Sequence, residues 1–211
     1  MSDTLYHYHL RRDKEIYKPV KKDPIDKFLF IDTETTSADK NKCGLWQIGG
    51  VVECGKHFDE FLFECDVFEG DEISEEALQA GNISLEKLST LPDPWDAFKK
   101  FQKMLSKYVD KYDKLDKFHV FAYSADFDNT VLRHWFIKND DSFFGSWFWH
   151  PWICIMTLTA AQHITDRKKF SNFQLKTVAE YLKIDIIGKK DFHNALFDSK
   201  VARDIYHKVK P

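Results

Sequence analysis

Two acidic residues, Asp32 and Glu34, come directly after an apolar run in the sequence. The run at residues 28–31 (FLFI) has the aromatic and β-branched composition of a buried strand. Side chains two residues apart on a strand share a face, with about 6.5 Å between their Cα atoms. Two carboxylates placed in this way repel each other and lose solvation unless a cation lies between them. The pair therefore predicts half of a divalent-metal site.

Two further acids and a histidine stand at the boundaries of predicted elements. Asp128 comes just after a strand predicted at residues 118–123, and Asp198 lies near the start of the last predicted helix. His193 comes immediately before that helix, five residues before Asp198, so it can face the same cleft as Asp198. We expect the fold to bring these side chains to the first pair of acids.

The chemistry that such a set supports is phosphoryl transfer. Oxygen ligands without cysteine suit the hard cations Mg²⁺ and Mn²⁺. Four carboxylates can hold two such ions, roughly 3.5–4 Å apart, as a clamp for in-line displacement at phosphorus. A histidine with an unperturbed pKa of about 6.5 is suited to take a proton from water at neutral pH.

The amino-acid composition restricts the kind of protein that this chain can be. The chain has 211 residues, 43% of them hydrophobic, which fits one folded domain. The formal net charge of −3 gives no global basic field, although a nuclease can be near neutral because its metals neutralise the reacting phosphate. The four cysteines form no C-x-x-C pair and predict free thiols in a reducing, cytoplasmic compartment. No apolar run approaches the roughly 18 residues of a membrane span, so we expect no membrane partner.

Strands and helices alternate along the chain around these residues. After the first strand, residues 46–53 and 56–63 predict two more strands, whose short connections are typical of an antiparallel meander. Caps and apolar periodicity predict six helices. They run from Ser74 to Gly81, from Asp93 to Tyr112, around Val131 to Phe136, from Ile153 to Ile164, from the capping box Ser171-x-x-Gln174 to Leu182, and from Asn194 to Val209.

This order predicts an α/β domain with a mixed sheet and helices packed on its faces. No Pro/Gly/Ser-rich linker divides residues 27–211, which we assign to one domain. Residues 1–26 contain a basic cluster and are expected to form an N-terminal arm, either solvated or in auxiliary contact with nucleic acid. The aromatic residues between 143 and 152 could stack on the bases of a single strand or form a local core.

Three stretches resemble the motifs of the DEDDh 3′→5′ exonuclease family, which includes the proofreading epsilon subunit of DNA polymerase III, ribonuclease T and oligoribonuclease. The stretches are residues 32–36 (DTETT), 127–128 (FD) and 193–198 (HNALFD), with further similarity at 46–51 and 73–84. The resemblance implies a ribonuclease H-like fold, with a mixed five-stranded sheet, a meander edge and helices on both faces. It also implies hydrolysis from a free 3′ end with release of nucleoside 5′-monophosphates. Our first hypothesis for the substrate is DNA, expected to be single-stranded.

The resemblance assigns a role to each matching residue. Four acids would hold two Mg²⁺ or Mn²⁺ ions: Asp32, Glu34, Asp128 and Asp198. His193 would be the general base for the attacking water. Thr33 and Thr35 would lie near the terminal nucleotide.

The sequence departs from the family pattern before Asp128. The family usually has His-Asn where Tyr123-Ser124 stand here, so the expected metal ligand is kept but a supporting contact is not. Asp126 is a competing acid two residues upstream. We favour Asp128 because the dipeptide at 127–128 fits the motif, and we expect Asp126 to cap the following helix.

Two alternatives stay open from the sequence. The substrate could be RNA, because no residue identifies a contact with a 2′-hydroxyl group. The chain could also be a nucleic-acid-binding or polymerase-associated module without turnover. The partner that we expect is a single-stranded nucleic acid, with DNA favoured over RNA, and with or without a DNA polymerase.

Overall fold

A mixed five-stranded sheet in the order β3-β2-β1-β4-β5 forms the centre of the computed structural model, which describes residues 26–186 and 192–210. Its strands are β1 (Lys27–Thr35), β2 (Leu45–Cys54), β3 (His57–Glu64), β4 (His119–Ala122) and β5 (Ile153–Cys154). The first three pair antiparallel as a meander, whereas β4 runs parallel to β1 and β5 parallel to β4. The predicted fold class is confirmed. The predicted N-terminal arm lies outside the described residues, apart from Asp26.

Helices lie between and after these strands. They are α1 (Glu75–Ala80), α2 (Leu85–Leu88), α3 (Pro94–Leu105), α4 (Ala125–Lys138), α5 (Phe144–Trp147), α6 (Ile155–Gln162), α7 (Leu175–Tyr181) and α8 (Ala195–Val209), with a 3₁₀ helix at Ile164–Lys169. The predicted start of α3 at an Asp-Pro pair is confirmed, because Asp93 accepts a hydrogen bond from the backbone of Trp95. Within 26–186 and 192–210, none of the helices has both the length and the apolar character needed to cross a membrane.

Two predicted helix starts are wrong. The helix expected from Ile153 begins two residues later, because Ile153 and Cys154 pair with β4 as a short parallel strand. The expected capping box at Ser171 does not form. Its helix, α7, begins only after Gln174, whose backbone N–H donates to the Asn172 side chain at 3.0 Å.

The alternation of side chains along β1 gives the sheet a core on each face. Leu29 and Ile31 face one core, which α3 and α4 complete. Phe30 faces the other core, which α6, α7 and α8 complete. Each fully buried Leu, Ile or Phe side chain contributes about 1.5–3 kcal/mol through loss of contact with water. The two cores therefore hold α4 and α8 against opposite faces of the same strand.

The aromatic segment at 143–152 belongs mainly to the first of these cores. Phe144, Trp147, Phe148 and Trp152 are buried there, so they are not free to stack on bases. Phe143 is 61% exposed and stands outside the cluster. Most of the aromatic side chains in this segment therefore form a local core, the second of the two interpretations given above.

Gly49 allows α8 to lie directly on β2. A Cβ atom at this position would be 2.2 Å from the backbone nitrogen of Leu196 and 2.5 Å from the carbonyl carbon of Ala195. Both neighbours are backbone atoms, which cannot rotate out of the way. The start of α8 therefore reaches its position only because β2 has a glycine at this point.

Gly49→Ala should destabilise the protein, because the new methyl group would push the start of α8 away from the sheet. We expect the free energy of unfolding to fall by about 1–3 kcal/mol, a typical cost of overpacking. Urea unfolding of the variant and the wild type measures the change. Gly145→Ala is the matched control, since a Cβ there meets no atom within 4 Å and should leave stability unchanged or slightly higher. Equal urea midpoints for Gly49→Ala and the wild type would contradict the packing argument.

Candidate active site

Asp32 and Glu34 lie at the carboxyl end of β1 and share one face of the sheet. In the register with β2, Asp32 is opposite Gly49 and Glu34 is opposite Gln47. Phe30 belongs to the same row of side chains and packs in the core that α8 covers. Both residues are only partly exposed.

Asp128 reaches the same strand end from the opposite face of the sheet. It lies in the first turn of α4 and is 3% exposed. Its Oδ1 accepts hydrogen bonds from the backbone N–H of Thr33 at 3.1 Å and from the Thr33 hydroxyl at 2.9 Å. These two bonds fix the carboxylate of Asp128 at Thr33, the residue that separates the two acids of β1 in the sequence.

The start of α8 provides Asp198 and His193. Asn194 caps the helix by accepting the backbone N–H of Phe197 at 3.1 Å, and Asp198 lies in the first turn. The Oδ2 of Asp198 accepts the backbone N–H of His193 at 3.0 Å. His193 has a φ of 70°, in the left-handed region that few non-glycine residues adopt. This turn places an exposed imidazole beside a buried carboxylate.

The four carboxylates have raised pKa values because they are buried together. Burial is the largest cause that raises the pKa of Asp32 well above its ordinary value, and the charges of Asp128, Glu34 and Asp198 add to it. Burial also raises the pKa of Glu34 to about 7, with further contributions from Asp198 and Asp128. The pKa of Asp128 and that of Asp198 are each raised to about 7 by burial, although the hydrogen bonds described above lower them. The cluster is therefore unfavourable when fully ionised without a neutralising charge.

A divalent cation fits this arrangement. Ligand atoms of Glu34, His193 and Asp198 all lie within 4.8 Å of one another. The Oδ1 of Asp198 is buried and has no hydrogen-bond partner among the described residues. A buried carboxylate oxygen without a donor is costly, and a cation would remove that cost. With Asp32 and Asp128 adjoining, the donors are mainly carboxylate oxygens, which Mg²⁺ and Mn²⁺ prefer.

Asp126 points away from this cluster. Its side chain is 85% exposed and pairs with Lys40. The expected helix cap by Asp126 is wrong, because Ser124 occupies the N-cap position of α4 without a side-chain hydrogen bond. The departure at Tyr123 also has a structural use: its hydroxyl donates to the carbonyl oxygen of Phe173 at 2.6 Å and anchors the loop before α7.

The two threonines that were expected near a terminal nucleotide have other hydrogen-bond partners here. Thr33 is buried, and its hydroxyl donates to Asp128. Thr35 donates to the carbonyl oxygen of Ser37 at 2.9 Å. Their side chains stabilise the turn at the end of β1, next to the acids.

Sequence reasoning gave no role to Gln47 or Gly49, which determine where α8 begins. The Oε1 of Gln47 accepts the backbone N–H of Ala195 at 2.8 Å. The signals that could have found these residues are a polar side chain within an apolar strand and a glycine in a strand interior.

A groove of about 600 Å³ opens beside His193. It runs between β2, the turn from α1 to α2, and the start of α8. Its wall combines apolar, cationic and acidic side chains, including Ile83, Lys87, Lys200 and Glu64. The groove is large enough for part of an extended polymer and adjoins the acidic cluster through the histidine.

Comparison with known proteins identifies the family. The sequence profile of the 3′-5′ exoribonuclease Rv2179c-like domain matches residues 27–209. The chain belongs to this family. No curated protein sequence shows a significant match. The resemblance to 3′→5′ exonucleases that the motifs predict is thereby confirmed.

The fold of this Rv2179c-like domain is similar to that of solved exonucleases. Cell-death related nuclease 4 (CRN-4) aligns with a TM-score of 0.65 at 15% identity, covering 88% of this chain and 64% of that chain. A zinc-bound complex of E. coli exonuclease I with single-stranded DNA gives 0.66 at 15% identity, with coverages of 88% and 40%. A 3′-exonuclease that recognises a histone mRNA stem-loop gives 0.63 at 16% identity, with coverages of 86% and 80%. The chain thus spans under two thirds of the first two proteins, and the likeness concerns the fold.

Glu34→Gln should stabilise the metal-free Rv2179c-like domain at pH 8. A carboxyl group whose pKa is raised by folding holds more protons in the folded than in the unfolded state. Its contribution to stability therefore falls as the pH rises through the interval between its unfolded-state pKa and its folded-state pKa. For Glu34 the interval runs from 4.5 to about 7. At pH 8 we expect the free energy of unfolding to rise by about 1–2 kcal/mol, after a discount for partial exposure. Urea unfolding with a chelator at pH 5 and pH 8 measures the difference.

Glu76→Gln on α1 is the control for this measurement, because Glu76 is an exposed carboxylate outside the cluster. Its stability should follow that of the wild type at both pH values. A Glu34→Gln variant that gains nothing at pH 8, or gains equally at pH 5 and pH 8, would show that the cluster is not electrostatically strained.

Proposed function

We propose that the domain is a metal-dependent 3′→5′ exonuclease that hydrolyses single-stranded nucleic acid and releases nucleoside 5′-monophosphates. The observation that carries this proposal is the convergence of acids from three distant segments at the end of β1, in a chain of an exonuclease family. Packing alone gives no reason to bury such a cluster, because each carboxylate raises the cost of ionising the next. Binding of cations and phosphate at this site would explain why the carboxylates are held together.

The acids would hold two Mg²⁺ or Mn²⁺ ions: Asp32, Glu34, Asp128 and Asp198. Such ions, when bound, neutralise charge on the phosphate and on the attacking and leaving oxygens. The protein contributes the fixed positions. Thr33 holds Asp128, and the backbone of His193 holds Asp198, so neither carboxylate has to reorient when a substrate arrives.

His193 would act as the general base that takes a proton from the attacking water. Its side chain is exposed and lies within 4.8 Å of ligand atoms of Glu34 and Asp198. A general base needs this combination of access to solvent and proximity to the reacting centre. The end of β1 at Thr33 and Thr35 would lie near the terminal nucleotide.

The groove beside His193 supports a nucleic-acid substrate. Lys87 provides positive charge along it, and Ile83 provides apolar surface. This combination suits a phosphate backbone with exposed bases. We keep DNA as the first candidate, and RNA is the second, because the family description names an exoribonuclease. Neither candidate requires a polymerase.

Asp32→Ala/Glu34→Ala should fold but lose digestion of nucleic acid. The wild type should shorten 5′-labelled DNA oligomers from the 3′ end in the presence of Mg²⁺ or Mn²⁺, and the variant should leave them intact because its cation ligands are gone. Gel electrophoresis of DNA and RNA oligomers of one sequence, with and without a blocked 3′ end, measures the activity, direction and sugar preference.

Asp126→Ala is the matched control, because it removes an exposed acid two residues from Asp128 and should digest like the wild type. Shortening of RNA alone would overturn the preference for DNA. Digestion of oligomers whose 3′ end is blocked would overturn the exonuclease assignment. An Asp32→Ala/Glu34→Ala variant that does not fold would show that these two acids are structural.

His193→Ala should lower kcat by about 10²–10⁴-fold, the usual contribution of a positioned general base. Its dissociation constant for Mn²⁺, measured by calorimetry, should stay within about threefold of the wild-type value, since the acids would provide the ligands. His57→Ala, at an exposed position at the start of β3, is the control and should change neither quantity. A large loss of Mn²⁺ affinity in His193→Ala would instead assign His193 as a metal ligand.

A further inference from the structure

A hydrogen-bonded bridge through Gln47 joins the sheet to the first residue of α8. Its Oε1 accepts the backbone N–H of Ala195 at 2.8 Å, and its Nε2 donates to the Oε1 of Glu64 at 2.9 Å. Gln47 is 3% exposed and its bond with Ala195 is buried, whereas Glu64 is exposed and its bond with Gln47 is only partly shielded from water. The orientation of the amide follows from the partners, because a backbone N–H can only donate and an ionised carboxylate can only accept.

The bridge satisfies a group that α8 cannot satisfy alone. The first N–H groups of a helix have no partner within the helix. Asn194 accepts one of them, that of Phe197, from within the same segment. Gln47 accepts another, that of Ala195, from 148 residues away. A local cap fixes the shape of the helix start, whereas the bond from β2 fixes its position against the sheet.

That position controls the distance between the two halves of the acidic cluster. Gln47 lies directly opposite Glu34 in the register of β1 and β2, and directly opposing residues in such a pair are about 4.5–5.5 Å apart. Asp198 and His193 lie on either side of Ala195 in the chain. A shift of the start of α8 along β2 would therefore move both residues relative to Glu34.

The later turns of α8 have attachments of their own. Glu53, near the far end of β2, pairs with Arg203 and with His207. Arg203 lies eight residues after Ala195, or about 12 Å along the helix. These contacts and the pair of Lys200 with Glu60 on β3 hold the body of the helix but leave its first turn to Gln47 and to the close contact at Gly49.

We propose that Gln47, oriented by Glu64, is a positioning residue of the active site. It holds the start of α8 so that Asp198 and His193 stay at cation-holding distance from Glu34. The proposal rests on the proposed function, because that function requires the acidic cluster to bind cations. Glu64 acts on the site only through the amide that it orients.

Gln47→Met tests the bridge, because methionine matches glutamine in length and can make neither hydrogen bond. We expect a 10–100-fold loss of Mn²⁺ affinity and of kcat, the range found when groups that orient metal ligands are removed. KM for the oligomer should change less than kcat. Exchange of the Ala195 amide hydrogen with solvent, followed by NMR, should become faster in the variant.

A further variant separates the hydrogen bond from the charge of Glu64. Glu64→Gln keeps an acceptor for the Gln47 amide and removes the charge. It should remain within about threefold of the wild type in Mn²⁺ affinity and kcat, with Ala195 still protected from exchange.

Wild-type Mn²⁺ affinity and amide exchange in Gln47→Met would overturn the proposal, as would a Glu64→Gln variant that is impaired as much as Gln47→Met. If Gln47→Met does not fold, Gln47→Asn carries the comparison, because its amide is one methylene too short to reach both partners. Mn²⁺ binding and amide exchange need no substrate. A wild type that digests no oligomer would therefore end the proposed function while leaving the role of Gln47 to be decided by these two measurements.

Discussion

Repulsion among buried carboxylates is the constraint that the rest of this structure has to overcome. Asp32, Glu34, Asp128 and Asp198 are held close enough to raise the pKa of Asp32 through their charges, in addition to the effect of burial. No single contact at the site can offset that cost. The large apolar cores on the two faces of the sheet do so, because each is built from many side chains that contribute about 1.5–3 kcal/mol apiece.

The two-sided architecture explains how acids from distant parts of the chain meet. One helix brings Asp128 to the end of β1 from one face, and another brings Asp198 from the other face. Short polar contacts then set the final geometry: Thr33 donates to Asp128, and the backbone of His193 donates to Asp198. Apolar packing thus determines which elements meet, and hydrogen bonds determine where the carboxylates point.

Much of the site could be predicted from sequence because its signals are local. An apolar run followed by two acids marks the end of a strand, and the segment around His193 and Asp198 marks the start of a helix. The contact of Gln47 with Ala195 could not be predicted, because it joins residues 148 positions apart and depends on how the helix lies on the sheet. The start of α6 was misplaced for a related reason, since Ile153 becomes strand only through its pairing with β4.

The unequal edges of the sheet have a consequence for association between chains. On one side the sheet ends at β5, which has only two residues and offers little backbone for a foreign strand. On the other side the described part of the sheet ends at β3, which has eight residues and pairs there only with β2. That strand carries Asp59, Glu60 and Glu64. Lys107 already pairs with Asp59 and Lys200 with Glu60, so a second copy added edge to edge would have to accommodate these charged side chains. Charge on the longer edge and brevity of the shorter one thus both oppose aggregation through β-strand addition.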